Sequence, residues 1–324
     1  MGSGAGRKRR GHGRRLSAGV PLSKPRTRPD SGIDGLLVVD KPVGPTSHDV
    51  VARVRRMAGT RRVGHTGTLD PLATGVLVLC LGKATRLIPY IEEMGGAAAK
   101  EYEAGIRFGF ETTTDDAEGE PRGEPVSTTP LSAASVGTAL AALVGEIDQT
   151  PPAFSAKKVA GERAYARARR GEEVDLKPVR VNVASAELLG LDGDIARVRF
   201  ACSRGTYIRA LARDLGRALG VGAHLVSLRR TRSGMSDLSR AVRLDDLTEE
   251  SLGASLVPMA AALDTWPRVS AGDREVADLR LGRAVNLGAP PGAAGLRVRI
   301  CDREGGLVAL ASVDGSRMQP FCVF

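Results

Sequence analysis

Asp70 is a lone carboxylate in a glycine-punctuated stretch, Gly64-His65-Thr66-Gly67-Thr68-Leu69-Asp70-Pro71-Leu72-Ala73-Thr74-Gly75, followed at once by the apolar run Val76 to Leu81. A residue before proline is pushed toward extended or turn backbone. Gly64, Gly67 and Gly75 permit close approaches that side chains would block. The pattern is an acid on a shaped loop, a nucleophile or a base. Two distant residues could complete a site. Arg209 follows a glycine turn at the start of a helix and can pair bidentately with a carboxylate, which keeps such an acid ionised. Tyr102 is the one phenol on an otherwise apolar strand face. Each has a plainer reading as a turn aspartate, a surface arginine and a core tyrosine. There is no convincing metal cluster, Walker loop, dinucleotide fingerprint or Ser-His-Asp order. Gly82-Lys83-Ala84-Thr85 is only a fragment of a phosphate loop. On the residues alone the reading stops at a cytosolic α/β enzyme or RNA binder with an acid at its centre.

The elements that must position these residues follow from pattern. Val76 to Leu81 has the length and branching of a buried strand. Gly35 to Asp40 is a short strand, broken by Lys41-Pro42-Val43-Gly44-Pro45. Thr46 or Ser47 can cap the helix that follows, with Asp49 in its first turn. Val50, Val51, Val54, Met57 and Ala58 share its inner face. Lys83 to Met94 reads as one helix, stopped by Gly95-Gly96. Lys100 to Gly109 alternates, with Tyr102, Ala104, Ile106 and Phe108 facing inward. Thr112 to Gly119 reads as a polar turn and Leu131 to Val144 as an alanine-rich helix. Val179 to Leu188 and Ile195 to Cys202 pair around Leu191-Asp192-Gly193-Asp194. In the next helix Ile208, Leu211, Ala212 and Leu215 point inward, and Arg209, Arg213 and Arg217 form a second face at four-residue spacing. Ala223 to Arg230 is another strand. Asp245 to Leu263 reads as a helical connector. From Trp266 a small β-rich unit follows, with a helix near Asp273 to Leu281.

Composition adds limits. The 324 residues suggest about two domains. Hydrophobic residues are 42%, enough for a core, but aromatics only 3%. The formal charge is +10, yet residues 1–30 carry nine basic residues against one acid, which leaves +2 for residues 31–324. The basic balance is thus a property of a Gly-, Arg-, Ser- and Pro-rich tail, which cannot bury enough surface to order itself. A second basic stretch, Phe154 to Arg170, interleaves Phe154 and Tyr165 with Ser155, Lys157, Lys158, Arg163, Arg167, Arg169 and Arg170. It reads as an RNA-contacting flap rather than a plain solvated helix face. The four cysteines form no CxxC pair, which fits reduced thiols in the cytoplasm. No apolar run reaches the length of a membrane span.

The residues also carry a specific resemblance. Gly64 to Leu77 closely resembles the catalytic motif of the TruB family of tRNA pseudouridine synthases. Asp40-Lys41-Pro42-Val43-Gly44-Pro45-Thr46-Ser47 is similar to its first motif and Lys100-Glu101-Tyr102 to its tyrosine motif. Cys202 to Arg209, with Gly222-Ala223-His224-Leu225, resembles its later motifs. Pro151 to Lys158 and Gly161 to Tyr165 resemble its RNA-gripping insertion. The match runs in family order over about residues 33 to 240. The basic tail and the small insertion at Gly95 to Ala99 depart from the family, and residues from about 260 match its C-terminal module only in place and size.

The resemblance implies an α+β pseudouridine synthase fold with a mixed, largely antiparallel sheet flanked by helices, plus a small β-rich, PUA-like RNA-binding domain. The implied divisions are a disordered tail at 1–32, a catalytic domain at 33–255 with its insertion at about 150–178, and an RNA-binding domain at 256–324. The implied reaction is isomerisation of uridine 55 in the tRNA T loop, reached by base flipping, with no cofactor or metal. Asp70 would be the covalent nucleophile, at C1′ through a glycal or, in a competing route, at C6. Arg209 would hold Asp70 ionised, and Tyr102 would stack on the flipped base. His65 would fill the vacated stack. Tyr207 and Leu228 would line the uridine pocket, and Lys41 would belong to the substrate site, supporting its loop. A monomer acting on the T arm, with no membrane and no obligate protein partner, is expected. Two other readings are a tRNA-folding module in which catalysis is secondary, and a guide-RNA-dependent relative.

Overall fold

The computed structural model describes residues 1–2, 32–129, 131–155, 157–159, 162–172, 176–288 and 295–324. The basic tail therefore lies outside the described residues, except at its ends. A ten-stranded sheet forms the larger part of the molecule. Its main path runs Val242–Arg243, Gly35–Lys41, Ala73–Leu81, Ala223–Ser233, Lys100–Phe108, Ile195–Cys202, Val179–Asp192 and Gly145–Gln149. Only two of these pairings are parallel: 35–41 with 242–243, and 73–81 with 223–233. The sheet is thus mixed and largely antiparallel, as the family resemblance implies.

The unbroken apolar run at 76–81 is explained by burial on both faces, since a strand covered on both sides cannot alternate. Leu77, Leu79 and Leu81 point into one core with Val50, Val54, Leu211 and Leu215. Val76, Val78 and Cys80 point into a second core with Leu87, Ile91 and Leu263. The first helix, Ser47–Met57, is capped by Thr46, whose side chain accepts from the Asp49 N–H while the Asp49 carboxylate accepts from the Thr46 N–H. This reciprocal cap fixes the chain entry next to the loop of interest.

Three expectations change in detail. Lys83 to Met94 is not one helix: a 3-10 turn, Gly82–Leu87, precedes a short α-helix, Ile88–Glu93. Pro89 lies in the first turn of the latter, where its missing N–H is harmless but would have broken a longer helix. The 245–263 connector is broken into Leu244–Asp246, Glu249–Leu252 and Met259–Leu263. The alanine-rich helix is shorter than its pattern, Ala133–Ala141, capped by Ser132.

A separate five-stranded sheet runs Arg268–Ser270, Arg297–Cys301, Leu307–Asp314, Arg317–Val323 and Val285–Asn286, with the helix Asp273–Arg280 packed on it. Its Cys301, Leu307, Leu310 and Cys322 share a core with Val76, Val78 and Cys80 of the large sheet. The preceding segment is tied to the large sheet's edge: Leu36 N–H donates to Val257 O at 2.9 Å and Val257 N–H to Leu36 O at 2.7 Å.

Gly75 closes the site loop onto the parallel strand at 223–233. Its φ is +97°, and a Cβ there would lie 2.2 Å from the Arg230 carbonyl oxygen. Neither the backbone nor the space admits a side chain. Gly75→Ala is expected to destabilise the protein by about 2–4 kcal/mol, read as a lower denaturant midpoint with an unchanged slope. A midpoint within error of wild type would show that the two strands can separate there freely.

Candidate active site

The loop that carries Asp70 is pinned by the first motif. Lys41 is fully buried. Its Nζ donates to three carbonyls, Pro42 O at 2.9 Å, Pro71 O at 3.4 Å and Ala73 O at 2.7 Å. Ser47, also buried, donates its hydroxyl to Leu69 O at 3.0 Å and accepts from Leu69 N–H at 2.8 Å. Gly44 N–H donates to Pro71 O at 2.9 Å. The backbone on both sides of Asp70 is thus fixed by residues 41 to 47. Lys41 is not among the residues that line the cleft and holds the loop from beneath. Burial is the largest influence on its ammonium and lowers its pKa to about 8, with Asp70 pulling the other way.

Asp70 opens into a cleft of about 910 Å³. Tyr102, Arg209, His65, Tyr207 and Leu228 all line it. These five residues come from four elements, three strands and one helix start, and the sheet order brings them together. Tyr102 lies opposite Arg230 on the adjoining strand, next to Leu228 opposite Ala104. Leu228 lies in turn opposite Ala73, three residues past Asp70. The helix Ile208–Ala218 starts at the cleft with Tyr207 as its N-cap residue.

Arg209 is the best-held side chain of the set. Its guanidinium is 3.0 Å from Asp70 Oδ2 and 3.3 Å from Asp116 Oδ2, and it donates to Thr114 O at 3.0 Å and Phe154 O at 2.9 Å. The Arg209 and Asp116 side chains are only 7% and 4% exposed, whereas Asp70 is 39% exposed. One carboxylate is buried as a fixed countercharge and the other is presented to the cleft by the same guanidinium.

The arginine face of this helix is not a solvated one. Arg213 is buried too, 2.8 Å from Asp115 Oδ2, and donates to Thr150 O at 2.9 Å. Only Arg217 is open, paired with Glu111. The turn at 112–116 covers the other two. Asp115 there has φ 60°, a positive value that among the described residues no other non-glycine residue shows. Burial raises its pKa against the pull of Arg213, Arg209 and Arg217. Asp115 and Asp116 are the residues that sequence reasoning missed. The available signal was the arginine pair at four-residue spacing on a buried helix, which requires carboxylates opposite it.

Gln149, 1% exposed, is a second omission. Its amide donates to Tyr207 O at 3.1 Å and accepts from Tyr207 N–H at 2.9 Å. It ties the N-terminus of the helix to the root of the basic flap. From that flap Phe154, Ser155 and Tyr165 line the cleft, and the Phe154 and Tyr165 rings meet edge-on at 6.1 Å. Ala156 and Gly161 of the flap motifs lie outside the described residues.

Tyr102 is 6% exposed, and burial raises its phenol above the ordinary value while Arg230 opposes. His65 lies edge-on to His48 at 5.9 Å, with its Nδ1 buried and without a partner. Burial, then His48, Arg230 and Lys100, lower its pKa to about 4, so the ring is neutral at ordinary pH. No group of residues able to hold a metal ion occurs among the described residues. No helix among them is long and apolar enough to cross a membrane.

This geometry can be set beside known proteins. Residues 55–208 match the N-terminal domain of the TruB family pseudouridylate synthases, and residues 209–264 match the tRNA pseudouridylate synthase B C-terminal domain. A tRNA pseudouridine synthase B of Leifsonia xyli subsp. xyli (strain CTCB07) is 48% identical over 297 residues, spanning 90% of this chain and 96% of that one. One of Thermobifida fusca (strain YX) is 48% identical over 300 residues, spanning 90% and 98%. Among solved structures, a chain of the Cbf5-Nop10-Gar1 complex superposes with a TM-score of 0.65 at 29% identity, over 89% of this chain and 84% of that one. A chain of an H/ACA RNP bound to a substrate RNA containing 2'-deoxyuridine gives 0.65 at 28% identity, over 90% and 84%. With its motifs in order and residues 55–264 matched by the two family models without a gap, the chain belongs to the TruB family of pseudouridylate synthases.

Proposed function

We propose that the protein isomerises uridine 55 in the T loop of tRNA to pseudouridine, with Asp70 as the covalent nucleophile. The observation that carries this is Asp70 itself, open to the cleft and gripped at 3.0 Å by a buried arginine. The bond from N1 to C1′ breaks, the base turns, and C5 bonds to C1′. The C5 proton leaves and N1 gains one, so nothing is oxidised. Arg209 aims the carboxylate, and Tyr102 supplies a flat face for the flipped base, with Tyr207 and Leu228 around it. Neutral His65 occupies the stack the uridine leaves, a place where an uncharged ring costs less than an imidazolium. The flap at Phe154 to Arg170 and the C-terminal sheet grip the T arm. The protein acts alone, as a monomer in the cytoplasm. The curated relatives match it nearly end to end under a tRNA synthase name, which supports this over the guide-dependent reading. The Cbf5 chains work within complexes of their own.

Incubation with unmodified tRNA is expected to give pseudouridine in the T loop without guide or partner. Asp70→Asn is expected to abolish product, by at least about a thousandfold, while binding the same tRNA. No product from wild type under conditions where tRNA binds would sink the assignment, and full activity of Asp70→Asn would sink the nucleophile.

Asp116→Ala leaves Arg209 buried with half its countercharge. Breaking such a pair costs about 3–5 kcal/mol, and the freed guanidinium no longer aims Asp70. Lower thermal stability is expected together with a fall in kcat larger than any rise in KM. A change in KM alone would remove Asp116 from the positioning role.

His65 gives a pH signature. Its folded pKa of about 4 lies below the unfolded value of 6.5, so between the two the unfolded chain binds more protons. Its contribution to stability is fully present above pH 6.5 and is lost as the pH falls through 4. His65→Gln is expected to flatten this part of the acid limb in denaturant titrations. An unchanged limb would mean that the ring is protonated in the fold.

A further inference from the structure

The floor of the cleft holds positive charge that the catalytic set does not use. Lys100 opens the strand that carries Tyr102. Residues two apart on a strand share a face, about 7 Å apart, and both line the cleft. Arg230 faces Tyr102 across the neighbouring pair of strands. It is fully buried. Its Nε donates to Val76 O at 2.7 Å and its Nη2 to Gly67 O at 3.1 Å, while its Nη1 has no acceptor in hydrogen-bond geometry, although the guanidinium acts on the Tyr102 hydroxyl nearby. Burial and Arg230 together lower the Lys100 pKa to about 8, and Glu92 is the carboxylate that opposes them. The roof over the pair is a glycine. A Cβ on Gly67, at φ +85°, would lie 2.4 Å from Lys100 Nζ and 3.6 Å from Arg230 Nη1. Beside it in the chain, Thr66 Oγ1 and His65 Nδ1 are also buried without partners.

Two cations held together with a donor unspent are unfavourable in the empty cleft, and an anion would relieve both. Every phosphodiester of RNA brings one. A base lying on Tyr102 carries its sugar and phosphates with it, within reach of a lysine chain that starts about 7 Å away. A phosphodiester is charged before any bond breaks, as these cations are. We propose that Lys100, with Arg230 behind it and Gly67 above it, forms a subsite for one phosphodiester oxygen next to the flipped uridine. This rests on RNA being the substrate, as argued above.

The test is a set of T-arm hairpins, each with one uncharged methylphosphonate near the target uridine, bound to wild type, Lys100→Met and Lys100→Gln at fixed salt. One position is expected to weaken wild-type binding about tenfold and to cost nothing further in either variant. The slope of affinity against salt is expected to fall by about one ion in the variants. Equal losses at every position, or losses that add to those of the variants, would overturn the subsite. So would variants that keep wild-type affinity and lose only kcat, which would set the ammonium against the detached uracil instead. The methylphosphonate series on wild type needs no variant to fold, and the absence of any sensitive position in it overturns the proposal by itself. Turnover of the unsubstituted hairpin by wild type reads the underlying function separately.

Discussion

The Arg209 guanidinium is the contact on which the rest of the site depends. It joins four pieces of chain: the loop of Asp70, the turn at Thr114 to Asp116, the flap root at Phe154 and its own helix. A lysine could not replace it, because a point charge cannot hold four acceptors in fixed directions. The buried Asp116 makes the arrangement tolerable. An arginine 7% exposed with only the half-open Asp70 as partner would be a costly charge. With Asp116 behind it, the guanidinium is neutralised from below and directs Asp70 from above.

A second constraint acts on the loop from the other side. Lys41 and Ser47 spend their hydrogen bonds on the backbone around Asp70 and none on its carboxylate. The loop shape is therefore set by carbonyls that Lys41 satisfies, and the side chain is set by Arg209. Backbone and carboxylate are held by different parts of the chain, 41–47 and 208–218. The parallel pairing of 73–81 with 223–233 is what keeps those parts in register, since the loop enters one strand and Leu228 stands on the other. This explains why a fold made mostly of antiparallel strands keeps a parallel pair at its centre.

Much of this was legible in sequence, and the reasons differ by residue. The strand at 73–81 reads clearly because burial on both faces leaves an unbroken apolar run. Asp70 stands out because glycines and a proline frame it. Tyr102 stands out because it interrupts an apolar face. Beyond Arg209 with Asp70, which the motifs supplied, long-range charge pairing did not read. Asp115 and Asp116 lie in a threonine-rich turn that looks solvated, and Arg213 looks like a surface residue until that turn folds over it. Local pattern carries no record of which turn covers which helix. The motif marks Lys41 as a support of the loop, and the fold adds which carbonyls it holds. The helix expected at 83–94 failed on a local detail, Pro89, whose position in the turn decided where the α-helix could begin.

The root of the flap is fastened to the same helix three times. Gln149 clamps the Tyr207 backbone, Arg213 donates to Thr150 O and Arg209 donates to Phe154 O. Each contact lies within two turns of the helix start. A displacement of the flap at Phe154 must therefore either stretch the Arg209 bond or turn the guanidinium, and turning it moves the donor that faces Asp70. The helix start thus links the position of residues 149–154 to the orientation of the Asp70 carboxylate. No contact between flap and Asp70 is required for this coupling, only one planar group with all its directions taken.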